Sequence, residues 1–329
     1  MQKVEISART IIFTVFFLIF LRVLWSLKEL LFSLLLAFIF MSALSPSVRR
    51  LEEWKVRRTL AVFLVYFSFV LVVIALFSLI LPPILIETGN LVKSLPLIIK
   101  GINTRTAPWL QLDAFTQYIP TATNEILKLV TGFASNIFFI ISTLFFGFYL
   151  LLQEKSIKLS LSRYLDESTT LRVSRTIDHA EERMSSWFWG ELKLMTIVGL
   201  MSFAGLSLIG IKYVLPLAVL AGLLEVVPNI GPILSSLPAV LLGFSHSYLL
   251  GFSAMAVYVL VQQLENNLIV PVVMSRAVGL NPIITLIVLI VGGKFGGVLG
   301  ILLAIPTFLF IESIVLEVLK GNDLAEKLR

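Results

Sequence analysis

The chain has 329 residues, 58% of them hydrophobic and 14% charged, with a mean hydropathy of +0.98. A soluble domain carries about 25% charged residues, so the composition excludes a water-coated globule and predicts an all-α, polytopic transmembrane unit with small appendages. The absence of cysteine excludes disulfides and thiolate-bound metals, and the formal charge of +6 reads as a basic collar beside membrane spans, not as a nucleic-acid surface.

A spanning helix needs about 20 mostly apolar residues to cross a hydrocarbon core of about 30 Å. The first such run is 10–27, behind a short tail carrying Lys3 and Arg9. No small-residue cleavage site follows it promptly, so it reads as a retained helix and not a secretory signal. A second run, 30–45, is joined to it by Lys28-Glu29, which predicts a tight helical hairpin, and Arg22 can snorkel to the interface. Segment 46–58 is basic, with Arg49, Arg50, Lys55, Arg57 and Arg58, and 59–81 is the third span.

Residues 82–131 carry Pro82, Pro83, Pro96, Pro108 and Pro120 between apolar clusters, and are expected to form short interfacial helices outside the cytoplasm. Span 132–152 follows. Segment 153–193 is again basic. Within it Val173, Ile177, Ala180, Met184, Trp187 and Phe188 recur at steps of three and four, opposite Arg175, Asp178, Glu181, Glu182 and Arg183. That stripe predicts a cytoplasmic amphipathic helix lying on the membrane or packed on a partner subunit. The remaining spans are 194–211, 215–244, 248–273 and 283–318, about eight in all. Basic residues concentrate in both termini, 46–58 and 153–193, which places both termini in the cytoplasm of a multi-pass protein.

The chemistry-bearing residues lie late in the chain. Glu225 sits in the middle of 215–244, directly before Val226-Val227-Pro228-Asn229-Ile230-Gly231-Pro232, with Pro238 downstream. An acid at membrane depth costs about 2.5–3.5 kcal/mol on insertion scales, so it faces a cavity or a partner. Pro228 and Pro232 remove backbone donors and Gly231 relaxes the chain, which predicts a broken helix with polar groups to satisfy. A pathway residue and a packing kink are both open readings, the latter with Glu225 paired to a cation such as Lys294. Gln262 and Glu265 share one helical stripe, and Gln263, Asn266 and Asn267 an adjoining one, ahead of Pro271. They suit a water-filled vestibule or an interfacial helix end.

Gly292, Gly293, Gly296, Gly297 and Gly300, around Lys294 and ahead of Pro306, interrupt 283–318, predicting a broken helix or a re-entrant hairpin with close helix approach. Paired interrupted segments at 215–244 and 283–318 point to repeat-related halves around a site. Glu312 is a third candidate buried acid, and His246 is expected at a loop tip. His179 and His246 are too far apart in kind and position for a metal site. No catalytic or phosphate-loop signature is present, so neither an enzyme activity nor a cofactor is expected.

The run Leu224-Glu225-Val226-Val227-Pro228-Asn229-Ile230-Gly231-Pro232, then Gln263-Leu264-Glu265-Asn266-Asn267, Gly279-Leu280-Asn281-Pro282, Gly292-Gly293-Lys294-Phe295-Gly296 and Ile305-Pro306 resembles the autoinducer-2 exporter family of bacterial permeases. The resemblance covers roughly 215–310. It implies an eight-span permease of the bacterial inner membrane, assembled as a homo-oligomer with a pentamer as the candidate, moving an autoinducer-2-like signal or exchanging sodium or lithium for protons. Three functions follow as alternatives: an exporter of a small polar solute, a cation/proton antiporter, and a non-transporting membrane scaffold.

Overall fold

The computed structural model describes residues 8–105, 137–161, 166–228, 230–274 and 281–321, and all of its regular structure is helical. Helix α1 (Ala8–Ser26) is apolar on every side and leaves Phe13, Phe16 and Phe17 exposed, as a lipid-facing helix does. Only Leu27 separates it from α2 (Lys28–Glu53), which is longer than the predicted 30–45. The Leu27 N–H to Val23 and Leu31 N–H to Leu27 bonds, each 3.0 Å, carry helical bonding across the joint, so the two helices do not fold back into the expected tight hairpin. The small residues Ala37, Ser42, Ala43 and Ser45 of α2 are buried, so other helices approach it closely. Helix α3 (Arg58–Arg105) follows a turn in which Lys55 has a positive φ of 64°.

Residues 82–105, expected as separate short helices, instead continue α3 without interruption through Pro82, Pro83 and Pro96. Each proline removes one N–H but leaves the other helical bonds of the turn in place, and the flanking leucines and isoleucines favour continuing. The rest of that predicted segment, 106–131, lies outside the described residues.

Helix α4 (Ile137–Leu161) packs on α2 and α3. Tyr66 Oη donates to the Leu144 carbonyl at 2.6 Å, and Thr143 Oγ1 donates to Ser33 Oγ at 2.9 Å. Helix α5 (Glu167–Leu208) opens on Asp166, whose carboxylate caps the Thr169 N–H at 3.1 Å. It merges the predicted amphipathic segment and the next span into one helix. Ala180, Met184 and Trp187 of the stripe are buried against α2 and the C-terminal helix. Its own chain therefore covers that half of the stripe, in place of a membrane surface or a partner.

The last elements are α6 (Val214–Leu224), α7 (Ile230–His246), α8 (Tyr248–Leu264), a π turn (Glu265–Ile269), α9 (Val270–Val273) and α10 (Pro282–Gly321). At about 1.5 Å per residue α6 and α7 reach roughly 16 and 25 Å, so neither crosses alone. They form a hairpin: Leu217 and Ala221 of α6 share a buried cluster with Ala239 and Leu242 of α7. Helix α10 also reverses. Gly297 has φ 57° and ψ −136°, Gly292 abuts Gly300, and Gly293 abuts Ile301. Residues eight apart touch only if the helix doubles back, so 283–318 is a hairpin and not a merely kinked span.

The two hairpins enter from opposite ends. Helices α2 and α5 are antiparallel, since Trp189 Nε1 donates to the Ala43 carbonyl at 3.1 Å while Arg49 reaches Glu181 at 3.4 Å. Gly222 packs on Met195 and Gly199, which aims the α6–α7 tip at the N-terminal half of α5. In α10 the tip at Gly296 rests on Phe32, near the start of α2, while Glu312 pairs with Arg183 of α5 at 2.6 Å. That hairpin therefore points the other way.

Candidate functional site

The break predicted around Glu225 is present. Helix α6 ends at Leu224 and α7 starts at Ile230, because Pro228 and Pro232 cannot donate to a continuous helix. Turn bonds replace the helical ones: Val227 N–H to the Leu224 carbonyl at 3.0 Å, Ile230 N–H to Pro228 at 2.8 Å, and Gly231 N–H to Val227 at 2.8 Å. Gly231 lies directly on the Leu224 carbonyl, where a Cβ would have no room. Asn229 lies outside the described residues.

Glu225 occupies the hairpin tip and is only 2% exposed. It faces Glu265, 4% exposed, the first residue of the π turn. The two carboxyl groups lie close enough to interact directly. Gln262 Nε2 supplies a further donor to Glu265 Oε2 at 3.2 Å. A third acid completes the group: Glu191 of α5 is 6% exposed and interacts electrostatically with both. Glu191 Oε1 and Glu225 Oε2 have no hydrogen-bond partner. Among the described residues none of the three acids forms an ion pair.

Close packing holds the three together. Gly199 faces Ala218 and Gly222, bringing α6 onto α5, and Gly190 accommodates the Met274 side chain from the end of α9. The wide π turn rotates the chain after α8, so Glu265 points inward while Gln263, Asn266 and Asn267 are exposed. Asn267 Nδ2 donates to Gln263 Oε1 at 3.0 Å, which links the outward stripe to itself.

The other predicted residues lie elsewhere. Lys294 is exposed at the α10 tip, beside Phe295, which stacks edge-on with Trp25, and it forms no ion pair with Glu225. Glu312 is half-buried and paired with Arg183. Pro238 lies inside α7, Pro306 is buried in α10, and Pro271 is exposed in α9. His246 ends α7, exposed, with Nδ1 3.1 Å from the Leu242 carbonyl.

Sequence reasoning missed Glu191. The signal was available, since it continues the buried stripe four residues after Trp187. It also missed a buried ion cluster at the far end of α5. There Glu154 accepts from Arg49 at 2.7 Å, Ser45 at 2.9 Å and Arg58 at 3.1 Å.

Comparison with known proteins agrees with this architecture. The family model described as AI-2E family transporter matches residues 11–320. The chain is 28% identical to "Putative transport protein YueF" of Bacillus subtilis (strain 168), over 92% of this chain and 88% of the relative. It is 24% identical to "AI-2 transport protein TqsA" of Escherichia coli (strain K12), over 90% of this chain and 88% of the relative. A shorter match, 36% identical, joins 37% of this chain to 34% of "Putative transport protein MT0215" of Mycobacterium tuberculosis (strain CDC 1551 / Oshkosh).

Proposed function

Because the chain belongs to the AI-2E transporter family, we propose that it is a secondary or facilitative exporter of a small polar solute, an autoinducer-2-like signal or a related molecule. One observation carries this reading. Two carboxyl groups, Glu225 and Glu265, meet at the tip of an interrupted hairpin with no counter-cation among the described residues. Hydrocarbon tolerates such a pair only where water, cargo or a proton reaches it. The AI-2 transport named for the Escherichia coli relative supports the cargo class. No ATP-binding motif is present, so uphill movement draws on an ion gradient.

The reading includes orientation and assembly. Arg49, Arg58 and Arg183 gather at one end of the bundle, in support of cytoplasmic termini in a bacterial inner membrane. The exposed apolar faces of α1 and α3 are consistent with lipid or with a homo-oligomer such as a pentamer.

The test is solute flux in proteoliposomes. Glu225→Gln and Pro228→Ala are each expected to lower flux while expression and assembly persist. Unchanged flux in both removes the hairpin tip from the route. A second reading, a sodium or lithium/proton antiporter, is favoured by the same pair, since two buried neighbouring carboxyl groups can hold either a proton or a small cation. Sodium-triggered proton movement in vesicles, lost on neutralising Glu225, selects it. A scaffold role predicts no flux and a copurifying partner.

A further inference from the structure

We propose that Glu191, Glu225 and Glu265 form a single proton-binding site, with Glu191 as its third carboxyl. This rests on the transporter reading and names the ion that would drive it.

The three acids come from three separate elements: mid-α5, the α6–α7 tip, and the π turn after α8. Each is nearly inaccessible, and two of them aim an unpartnered oxygen into the protein. Removing one carboxylate from water without compensation costs several kcal/mol, and three adjacent negative charges repel besides. Protons are the compensation the geometry accepts. Glu191 Oε1 and Glu225 Oε2, both buried and without a hydrogen-bond partner, are the oxygens that would carry them.

Among the described residues the surroundings supply no other compensation. Along α5, Trp187 and Leu194 flank Glu191 and pack with Ile39 of α2 and Leu289, Leu303 and Ala304 of α10. Met274 covers the neighbouring Gly190 from α9. Lys193 and Lys294 are exposed, and Arg183 is engaged by Glu312. On α8, Gln262 is spent on Glu265, and Tyr258 offers only a neutral hydroxyl. Among the described residues no group of three or more acidic, histidine or cysteine side chains is arranged to hold a metal ion. A proton needs neither ligand geometry nor space.

The site also has a way to change. Glu225 is the C-terminal cap of α6, and its position follows the turn bonds made by Val227, Ile230 and Gly231. Movement of that tip would separate Glu225 from Glu265. A proton on the Glu225 carboxyl would then pass to a Glu191 carboxylate oxygen, so proton number and total charge are conserved within the site.

The experiment is infrared titration of the full chain in lipid, reading the C=O band of protonated carboxyl groups. Wild type is expected to keep a buried protonated-carboxyl band at neutral pH that fades as pH rises. Glu191→Gln should shrink the band, because one of the three carboxyl groups that hold the protons is gone. Glu191→Asp should restore it. Adding sodium at fixed pH should leave the band in place. An unchanged band in Glu191→Gln, or displacement of the band by sodium, overturns the proposal. Should Glu191→Gln fail to fold, Glu265→Gln gives the same reading with the same two outcomes. Solute flux separates the two ideas. A pH-responsive carboxyl band without flux sinks the exporter reading and leaves this site, and flux without such a band does the reverse.

Discussion

Arg49 of α2 donates to Glu154 of α4 at 2.7 Å, a contact between residues 105 apart in the chain. Glu154 is buried and also accepts from Ser45 and Arg58, while Arg49 reaches on to Glu181 of α5. Glu154 therefore ties α2, α3 and α4 together, and Arg49 extends the link to α5.

Glu154→Ala should lower stability by about 3 kcal/mol, since removing one member of a buried pair strands its partners. Arg49→Ala should cost less, about 1 kcal/mol, because Arg49 is 52% exposed and Arg58 remains on Glu154. Thermal unfolding in detergent ranks the two. Equal losses would mean that Glu154 does not organise the cluster.

Gly297→Ala should destabilise the α10 hairpin by about 1–3 kcal/mol, the cost of a side chain in a backbone region nearly reserved for glycine. Gly300→Ala should be at least as harmful, because its Cβ would strike the Gly292 backbone. Gly89→Ala, with open space around it, serves as the control. Monodispersity and melting temperature check all three.

At the other hairpin, Gly231→Ala should reduce flux about tenfold or more, a loss of roughly 1.4 kcal/mol of tip placement. The new methyl group meets the Leu224 carbonyl and displaces Glu225. Normal flux in a well-folded variant would show that the tip geometry is immaterial to transport.

Gln262→Ala should cost about 1–2 kcal/mol through its lost bond to a buried carboxyl. Asn267→Ala should stay within about 0.5 kcal/mol, because its partner Gln263 is equally exposed. Flux follows the same order if the inward stripe alone meets the route.

Much of this could be read in the sequence. Pro228, Gly231 and Pro232 announce the interruption chemically, and the three-and-four spacing separates Gln262 and Glu265 from Gln263 and Asn267 as the structure does. Which stripe turns inward was not legible, because the π turn shifts the face by an amount that local propensity does not encode. Glu191 was hidden in a segment whose basic neighbours suggested a cytoplasmic surface. Its depth depends on α6 crossing α5 at Gly199 and Gly222, a tertiary contact. Lys294 shows the converse: charge alone suggested a partner for Glu225, but the α10 reversal carries it to another face. The prolines of α3 misled for a related reason, since a turn-forming residue ends a helix only when its neighbours do not favour continuing.

That long α3 has a mechanical consequence. Its 48 residues amount to a rod of about 72 Å, more than twice the thickness of a hydrocarbon core. No reasonable tilt hides such a length, so a shaft of some 40 Å stands clear of the lipid beyond Leu79. Leverage follows: a rocking of about 10° at the base would sweep the far end by roughly 10 Å. Small adjustments among the packed spans thus become large displacements at a distance, where an antibody fragment or a spin label on Arg105 could register them.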